Sequence, residues 1–377
     1  MALNTVSSDR LSTNVKTSNL GTELKGKIGQ DKNLITNGAM ICSQRGTSFA
    51  TVSNNESTLD QFALTHPYGS STMSISQSTT SPNGFSNSYK LDVNSADTSI
   101  GAGQYVAIRH RIEAQNLQEL AFGTSGAKSI ALSFYVRSNV TGTYAVNIQQ
   151  KDNSSKQVSA TYTINSADTW ERKTFTFAGD TSGVINNDTG TGFEILWYLA
   201  AGSNRNSGTA RSTFTAHNQA DEAAGHTANI LSSTSNNFHL TGCQLEVGSV
   251  ITDFQHLSFA DELRRCQRYY FRIPYQGASN GGGVYLASGK ETGSNARVAV
   301  DFPVPMRAIP SCAASNLLAD DESSATSANT VSSVLASSVE PDRGRVEFSG
   351  GSYSSANSIS LATSQATDSY LEGSAEL

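Results

Sequence analysis

Apolar and polar residues alternate through the middle of the chain. In the segment 129–138 every second residue from Ile130 to Val136 is apolar, and the segment 143–150 carries the same alternation. Because successive side chains of a strand point to opposite faces, this period predicts strands with one buried face. The run FEILWYLA at 193–200 is almost continuously apolar and predicts a strand that is buried on both faces.

Turn-forming residues separate these strands. Clusters of Gly, Asn, Asp and Ser lie between the apolar runs, and helix-like sequence in this region is confined to Ala114–Leu120. Antiparallel strands at this density predict a two-sheet sandwich over residues 33–258. The stretch 201–235 holds few large apolar residues and predicts one long loop, which is where the binding residues of a rigid sandwich tend to lie.

The pattern changes at residue 259. The sequence DELRRCQRYY predicts a short charged helix over 259–271 that links two β-domains. Weaker alternating runs over 272–377 predict a second, smaller C-terminal β-domain. Pro303, Pro305 and Pro310 confine the strand around them to a sheet edge or a strand end. This domain is sparse in apolar residues, so we expect it to bury area against neighbouring subunits.

Residues 1–32 form a polar segment with an apolar residue at every fourth or fifth position, from Val6 to Ile28. That spacing gives a single apolar stripe if the segment is partly helical. So little apolar area cannot offset the chain entropy of a free peptide, so the segment is expected to order only against a partner or against copies of itself. It is therefore a candidate N-terminal anchor, extended or partly helical.

Composition excludes several classes of protein. Charged residues make up 15% of the chain and the net charge is -6, without the clustered Lys and Arg that nucleic-acid binding requires. The sequence contains neither an apolar run long enough to span a membrane nor a signal peptide, so a soluble protein is expected. Four cysteines without a C-x-x-C pair are typical of small buried side chains in a protein assembled in a reducing cytoplasm.

Candidate catalytic groups do not form a recognisable motif. Glycoside hydrolysis needs two carboxylates brought together, and no spacing selects a pair from Glu113, Glu119, Asp180, Asp188 and Glu194. The Gly-x-Ser-x-Gly match at 277–281 lacks the helix that a nucleophile elbow requires. His217 and His226 share the long loop with Asp221 and Glu222, where a metal site is conceivable but a solvated loop is favoured. The sequence therefore predicts no enzymatic activity.

Three segments, in order, resemble phage tail-fibre and virion-surface proteins that carry a jelly roll similar to carbohydrate-binding modules. They are NLITNGAMICSQRGTSF at 33–49, QLEVGSVITDFQHLSFADELRRCQRYY at 244–270 and VAVDFPVPMRAIPS at 298–311. The resemblance covers residues 33–311 and identifies a building block rather than one activity. The family's Asp-Arg-Trp near Leu59 is absent, since Gln61 and Phe62 follow Asp60 here.

The resemblance implies a jelly-roll β-sandwich in a non-enzymatic phage virion structural protein, a tail or surface fibre assembled in the host cytoplasm. Residues 1–32 would attach it to other virion proteins, and its β-domains would present a surface to host glycans. Fibres of this kind are commonly threefold, so a homotrimer is expected, with the helix bundled through Leu263 and Cys266 or Tyr269. Two alternatives remain: a capsid or tail decoration protein with a purely structural role, and a polysaccharide depolymerase.

Sugar binding needs exposed aromatic faces beside planar polar groups. Trp170 and Trp197 are expected in the core, because tryptophan is usually largely buried. The aromatic candidates in polar surroundings are Tyr68, Tyr89 and Phe214, followed by Phe85 and Tyr105. The resembling modules often carry a structural calcium ion, for which the candidate ligands are Asp60, Asp92, Asp97, Asp253 and Glu246.

Overall fold

The structure is a computed structural model of the full chain. It describes residues 33–67, 72–152, 155–274, 285–291, 295–315, 317–320, 329–330, 333–340, 343–349, 358–363 and 370–377. The predicted anchor, residues 1–32, and the candidate Tyr68 lie outside these residues.

Residues 48–247 form thirteen strands that pair into two antiparallel sheets. The strands are β1 (Ser48–Phe49), β2 (Glu56–Ser57), β3 (Phe62–Thr65), β4 (Met73–Ser78), β5 (Ser88–Val93), β6 (Tyr105–Glu113), β7 (Ile130–Ser138), β8 (Gly142–Gln150), β9 (Lys156–Ile164), β10 (Glu171–Phe177), β11 (Thr191–Ala201), β12 (Thr215–Ala216) and β13 (Asn237–Val247). Sheet A has the order β1-β4-β5-β13-β7-β10, and sheet B has the order β12-β9-β8-β11-β6-β3-β2.

The inner faces of sheets A and B enclose one apolar core. Trp197 on β11 is fully buried, with its ring 6.2 Å from that of Phe62 and 5.8 Å from that of Phe134, measured between centroids. The alternation in the sequence is confirmed, since Ile130, Leu132, Phe134 and Val136 are all buried in β7. The burial of β11 on both faces is confirmed as well. The predicted mainly β, two-sheet sandwich is therefore present.

Helices are few and short among the described residues. The 3-10 helix Ala114–Leu120 lies where helix-like sequence was predicted, and short turns of helix at Gln219–Asp221, Ile230–Ser232 and α1 (Ser203–Asn206) follow in the long loop. The linking helix α2 (Phe259–Gln267) begins where predicted, because the Ser258 hydroxyl accepts the Asp261 N–H at 3.2 Å. None of the helices in the described ranges has the length and apolarity that a bilayer crossing requires.

Helix α2 ends four residues before its predicted limit at 271. Residues Tyr270–Pro274 form strand β14 instead, since three consecutive aromatic residues favour a strand and Pro274 cannot continue a helix. Sheet C has the order β14-β23-β17, with β17 at Ser311–Ser315 and β23 at Tyr370–Ser374.

The remaining strands form sheet D. They are β15 (Tyr285–Glu291), β16 (Asn295–Asp301), β18 (Leu317–Asp320), β19 (Asn329–Thr330), β20 (Ser333–Glu340), β21 (Arg343–Ser349) and β22 (Ser358–Thr363), in the order β19-β18-β22-β15-β16-β21-β20. The C-terminal region predicted as one β-domain therefore contributes two sheets.

The three sequence segments used for the family resemblance meet around α2. The Asn37 N–H donates to the Glu262 carboxylate at 2.7 Å, which joins the first segment to the helix. The Arg307 N–H donates to the Arg268 carbonyl at 2.8 Å, which joins the third segment to the end of the helix. The three segments therefore form the junction between the sandwich and sheet C.

The face of α2 predicted to form a threefold bundle packs against the protein's own sandwich. Cys266 is fully buried and Tyr269 is 4% exposed, while Leu263 is half-buried. Side chains that are enclosed within one subunit are not available to a helix bundle, which contradicts the prediction for Cys266 and Tyr269. The sequence suggested otherwise because an amphipathic stripe does not specify which surface covers it.

Candidate functional site

The predicted aromatic candidates occupy different environments. Tyr89 is fully buried in the core, so its ring has no face for a ligand and its prediction as a binding residue is wrong. Phe214 is half-buried and its ring stacks on Phe193 with centroids 6.0 Å apart. The Arg205 guanidinium lies 3.8 Å from the centroid of the Tyr105 ring and covers it. Phe85 alone of the described candidates belongs to a larger cluster of half-exposed rings.

This cluster lies on the outer surface of sheet A. The ring centroids of Phe85 and Phe254 are 5.0 Å apart, and those of Phe254 and His256 are 4.9 Å apart. Tyr135 adjoins the cluster at 5.4 Å from Phe85, because Tyr135 occupies an outward position of β7. Edge-to-face contacts of this kind stabilise aromatic groups beyond their buried area, so the rings hold one another in place on the surface.

A bulge in β13 makes room for the rings. The pairing of β13 with β7 shifts register between Thr241 and Gln244, and Gly242 adopts a φ of 60° within this break. A Cβ atom on Gly242 would lie 2.8 Å from atoms of both Phe85 and Tyr135. Glycine is therefore needed here for its left-handed backbone and for its lack of a side chain beneath the two rings.

A cavity of about 370 Å³ opens beside these rings. It lies between the outer surface of sheet A, residues 39–41 and the start of α2, and Phe259 is 58% exposed at its rim. The lining residues are Ala39, Ile41, Ser86, Asn87, Phe254, His256, Leu257, Phe259 and Glu262. We call these residues, together with Phe85 and Tyr135, the aromatic pocket. Its volume and its mixture of rings with hydroxyl and amide groups are typical of small-ligand sites.

A second candidate surface lies on the outer face of sheet B and is polar. The strand register places Glu194 beside Arg111 on one side and Gln149 on the other. The Arg111 Nε donates to Glu194 at 2.6 Å and the Lys151 ammonium lies 3.5 Å from the same carboxylate. Arg109 donates to the Asn55 side chain at 2.6 Å. We call Arg109, Arg111, Lys151 and Glu194 the polar face; two of its three cations, Arg111 and Lys151, pair with its one carboxylate.

The predicted long loop folds back over the other half of this sheet. The Glu222 carboxylate accepts hydrogen bonds from Tyr198 at 2.7 Å and His217 at 2.7 Å, and it also pairs with Arg205. Burial opposes ionisation of Glu222, but the His217 bond and the Arg205 charge outweigh it and hold its pKa below the usual range. His226 bonds the Ala228 carbonyl instead, so the loop histidines and acids pair with protein groups and do not converge on a metal site.

The carboxylates considered for hydrolysis are engaged as structural partners. The pKa of Glu194 lies below its usual range, because Arg111 and Lys151 outweigh the effect of burial. The pKa of Asp180 is lowered too, since the Ser182 and Gly183 N–H groups and Lys156 outweigh its desolvation. A general acid needs the opposite shift. Burial raises the pKa of Asp60 to about 6, but Asp60 is only 1% exposed and cannot meet a polysaccharide.

The calcium candidates do not converge in the described part of the chain. Asp92 pairs with Lys90 at 2.8 Å, and Glu246 accepts from the Thr252 N–H at 3.2 Å. Asp60 lies instead beside two thiols, Cys42 and Cys266, in the one group of three His, Cys, Asp or Glu side chains that the described residues bring within 4.8 Å of one another. The predicted oxygen-only calcium site is therefore not assembled.

Sequence reasoning missed most of the aromatic pocket. The sequence pattern places Tyr135 in a strand and residues 250–258 in the predicted sandwich, and neither prediction marks them as binding residues. Two signals were present: Gly242 interrupts an otherwise regular strand, and Phe254, His256 and Phe259 occur in a polar segment without strand periodicity.

No family model matches the chain, and no curated protein matches it. Among solved structures, it is similar to a protein described as sugar-binding from Bacteroides thetaiotaomicron, at 11% identity and a TM-score of 0.33, over 57% of this chain and 100% of that one. It is similar to a family 11 carbohydrate-binding module from Clostridium thermocellum, at 10% identity and a TM-score of 0.28, over 54% of this chain and 96% of that one.

A third similar structure is the enzymatically active domain of tailspike protein 4 from bacteriophage CBA120, at 11% identity and a TM-score of 0.30, over 57% of this chain. The chain spans only 21% of that domain's length. Similarity at these identities and TM-scores carries no information about ligand or activity, so the site rests on the side chains described above.

Proposed function

We propose that the protein binds a glycan in the aromatic pocket, as a non-enzymatic component of a phage particle. The observation that carries the glycan proposal is the cavity of about 370 Å³ bordered by half-exposed rings and by Ser86 and Asn87. The C–H faces of a sugar ring pack on aromatic rings, while its hydroxyl groups need donors and acceptors at the edge of the site. The aromatic pocket offers both within one surface.

The polar face is an alternative location for the same function. Its planar guanidinium and carboxylate groups suit paired sugar hydroxyls, and its excess of cations would favour an acidic saccharide. It lacks an uncovered aromatic ring, since Tyr105 lies beneath Arg205. Arg109 and Arg111 adjoin a cavity of about 10 Å³, and Arg111 also lines one of about 150 Å³. Both are smaller than the aromatic pocket, which is therefore the better candidate.

The virion role rests on the sequence resemblance. Residues 1–32 would attach the chain to other particle proteins, and the sandwich would meet the host surface. A homotrimer would let three weak glycan sites act together. Its contacts would have to come from surfaces other than Cys266 and Tyr269, for example from the half-buried Leu263.

Binding of the purified full chain to an array of bacterial surface polysaccharides tests the glycan proposal. Phe254→Ala and Phe259→Ala should weaken binding about tenfold, which corresponds to the roughly 1.4 kcal/mol expected of one aromatic contact. Ile309→Ala is the matched control, because Ile309 is 61% exposed and lies outside the pocket. Loss of binding in Arg109→Ala but not in the pocket variants would move the site to the polar face.

The same incubation separates the alternative functions. Retention of polysaccharide without new reducing ends supports a receptor-binding protein, cleavage supports a depolymerase, and neither supports a decoration protein. Deleting residues 1–32 tests the anchor, because the shortened chain should keep its trimer in light-scattering measurements yet fail to join particles.

A further inference from the structure

Two thiols and a carboxylate meet in the interior of the junction between the sandwich and α2. Cys42 lies in the first segment of the sandwich, Asp60 precedes β3, and Cys266 lies in the last turn of α2. Their sulfur and oxygen atoms lie within 4.8 Å of one another, and each residue is at most 1% exposed. Three distant parts of the sequence thus deliver two thiols and a carboxylate to one enclosed point.

The charge of Asp60 is poorly compensated at this point. Its carboxylate accepts the Gln44 N–H at 3.2 Å and the Gln44 amide at 2.9 Å, both from neutral donors. The nearest cation is Arg45, whose Nη1 is 4.0 Å away and makes no hydrogen bond. Buried charges are normally paired or bound to a metal, so a positive charge beside Asp60 would complete the cluster.

The geometry points to a structural metal site at Cys42, Asp60 and Cys266 that takes Zn²⁺ or a chemically similar thiophilic divalent cation. Thiolates select such ions, whereas calcium prefers oxygen ligands alone. Zinc bonds of about 2.3 Å to sulfur and about 2.0 Å to oxygen place tetrahedral ligands roughly 3.5 Å apart. Side-chain rotations that move these atoms by about an ångström are therefore enough to close the site around the ion.

Binding exchanges protons for the metal. Each thiol loses its proton to solvent when its sulfur bonds the cation, so two protons leave for each ion bound, and affinity falls as pH falls. The two thiolates and the carboxylate carry three negative charges against two on the ion, and the cation nearest to the remaining charge is Arg45, which also pairs with Glu376 at 3.0 Å. The bound ion would join α2 to the sandwich by coordinate bonds in addition to the hydrogen bonds already described.

The test is metal content and cobalt spectroscopy of the full chain. After removal of metal by a chelator under reducing conditions, the protein should rebind about one equivalent of Zn²⁺ by elemental analysis. Co²⁺ should produce a thiolate-to-metal charge-transfer band with intense tetrahedral d–d bands. Cys42→Ser and Cys266→Ser should each weaken binding at least tenfold, and Asp60→Asn should weaken it less. Cys312→Ser is the matched control, because Cys312 is half-buried in β17, outside the cluster.

Two results would overturn the inference. One is a folded, fully reduced wild-type chain that binds neither Zn²⁺ nor Co²⁺ through sulfur. The other is a Cys42–Cys266 disulfide in protein purified without reductant, detected as a disulfide-linked pair of peptides. If the serine variants fail to fold, the wild-type cobalt spectrum before and after selective alkylation of thiols still decides the outcome.

Discussion

Arg268 and Glu113 form a two-bond ion pair that joins the end of helix α2 to the end of strand β6. The Arg268 Nε lies 2.6 Å from one Glu113 oxygen and its Nη2 lies 2.9 Å from the other. Glu113 is fully buried, and its neighbour Gln115 supplies one further donor at 2.6 Å. The pair fixes the direction in which the chain leaves the sandwich, because paired planar groups restrict both distance and orientation.

Arg268→Ala should destabilise the protein by about 3 kcal/mol, because it leaves the Glu113 charge buried without its cation. Arg268→Lys should recover only part of this, since an ammonium group cannot make both bonds. The double variant that combines Arg268→Ala with Glu113→Gln should regain much of the lost stability. Urea unfolding of the four proteins in a double-mutant cycle measures the coupling, and strictly additive effects would contradict the pair.

Arg307→Lys should loosen the C-terminal strand β23 without unfolding the sandwich. The guanidinium of Arg307 donates to the carbonyls of Ala375 at 2.7 Å, Glu376 at 2.9 Å and Thr189 at 3.0 Å. An ammonium group cannot reach three acceptors in this fixed fork. Hydrogen exchange of the β23 amides should become at least about tenfold faster. Arg264→Lys, on an exposed face of α2, should leave the exchange unchanged.

Stability should fall as pH drops below 6.5, the ordinary pKa of histidine. Burial lowers the pKa of His110 to about 3, of His226 to about 4 and of His239 to about 3. Between pH about 6.5 and about 4 these histidines therefore bind protons in the unfolded chain and stay neutral in the folded chain. Each such histidine costs about 1.4 kcal/mol per pH unit in that window, and above it the stability is fully present.

Urea midpoints on either side of this window measure the effect. His110→Gln should flatten the dependence by about one proton. A midpoint that stays constant through the window would refute the buried neutral histidines. Glu194 and Glu222, whose pKa values are lowered against the effect of burial, should add further loss of stability at more acidic pH.

Gly242→Ala should disrupt the aromatic pocket. The added Cβ would meet the rings of Phe85 and Tyr135 at 2.8 Å, and a left-handed backbone adds a cost of about 1 kcal/mol. Near-ultraviolet circular dichroism should lose part of its aromatic signal, and glycan binding should fall with it. Gly248→Ala is the control, since Gly248 has a φ of 113° with nothing within 4 Å. The Gly248→Ala variant should be less stable than the wild-type protein but should keep its near-ultraviolet circular dichroism and its glycan binding.

Local periodicity predicted the sandwich. The alternation in β7 and the continuous apolar run of β11 each specify a strand and its buried faces, because a one-residue slip would expose the whole apolar set. Trp197 was predicted in the core because tryptophan is usually largely buried, and it is fully buried there. Trp170, predicted in the core on the same ground, is only half-buried.

The binding surface was not predictable in this way. Phe85 and Phe254 are 169 positions apart in sequence, and they meet only because strand pairing and the β13 bulge bring their loops together. The face of α2 was likewise ambiguous, since its stripe of Leu263, Cys266 and Tyr269 fits a partner helix or its own sandwich equally well. Sequence periodicity specifies which side of an element is buried, and tertiary contacts decide what covers it.

The position of β23 in sheet C imposes an order on biosynthesis. Strands β14 and β17 each pair with β23 and not with each other, yet β23 emerges from the ribosome more than fifty residues after both. Until then both strands present unpaired edges, a state prone to misassociation with neighbouring nascent chains. We therefore expect the sandwich to complete folding first, and sheet C to close as a late, slow step on that finished surface.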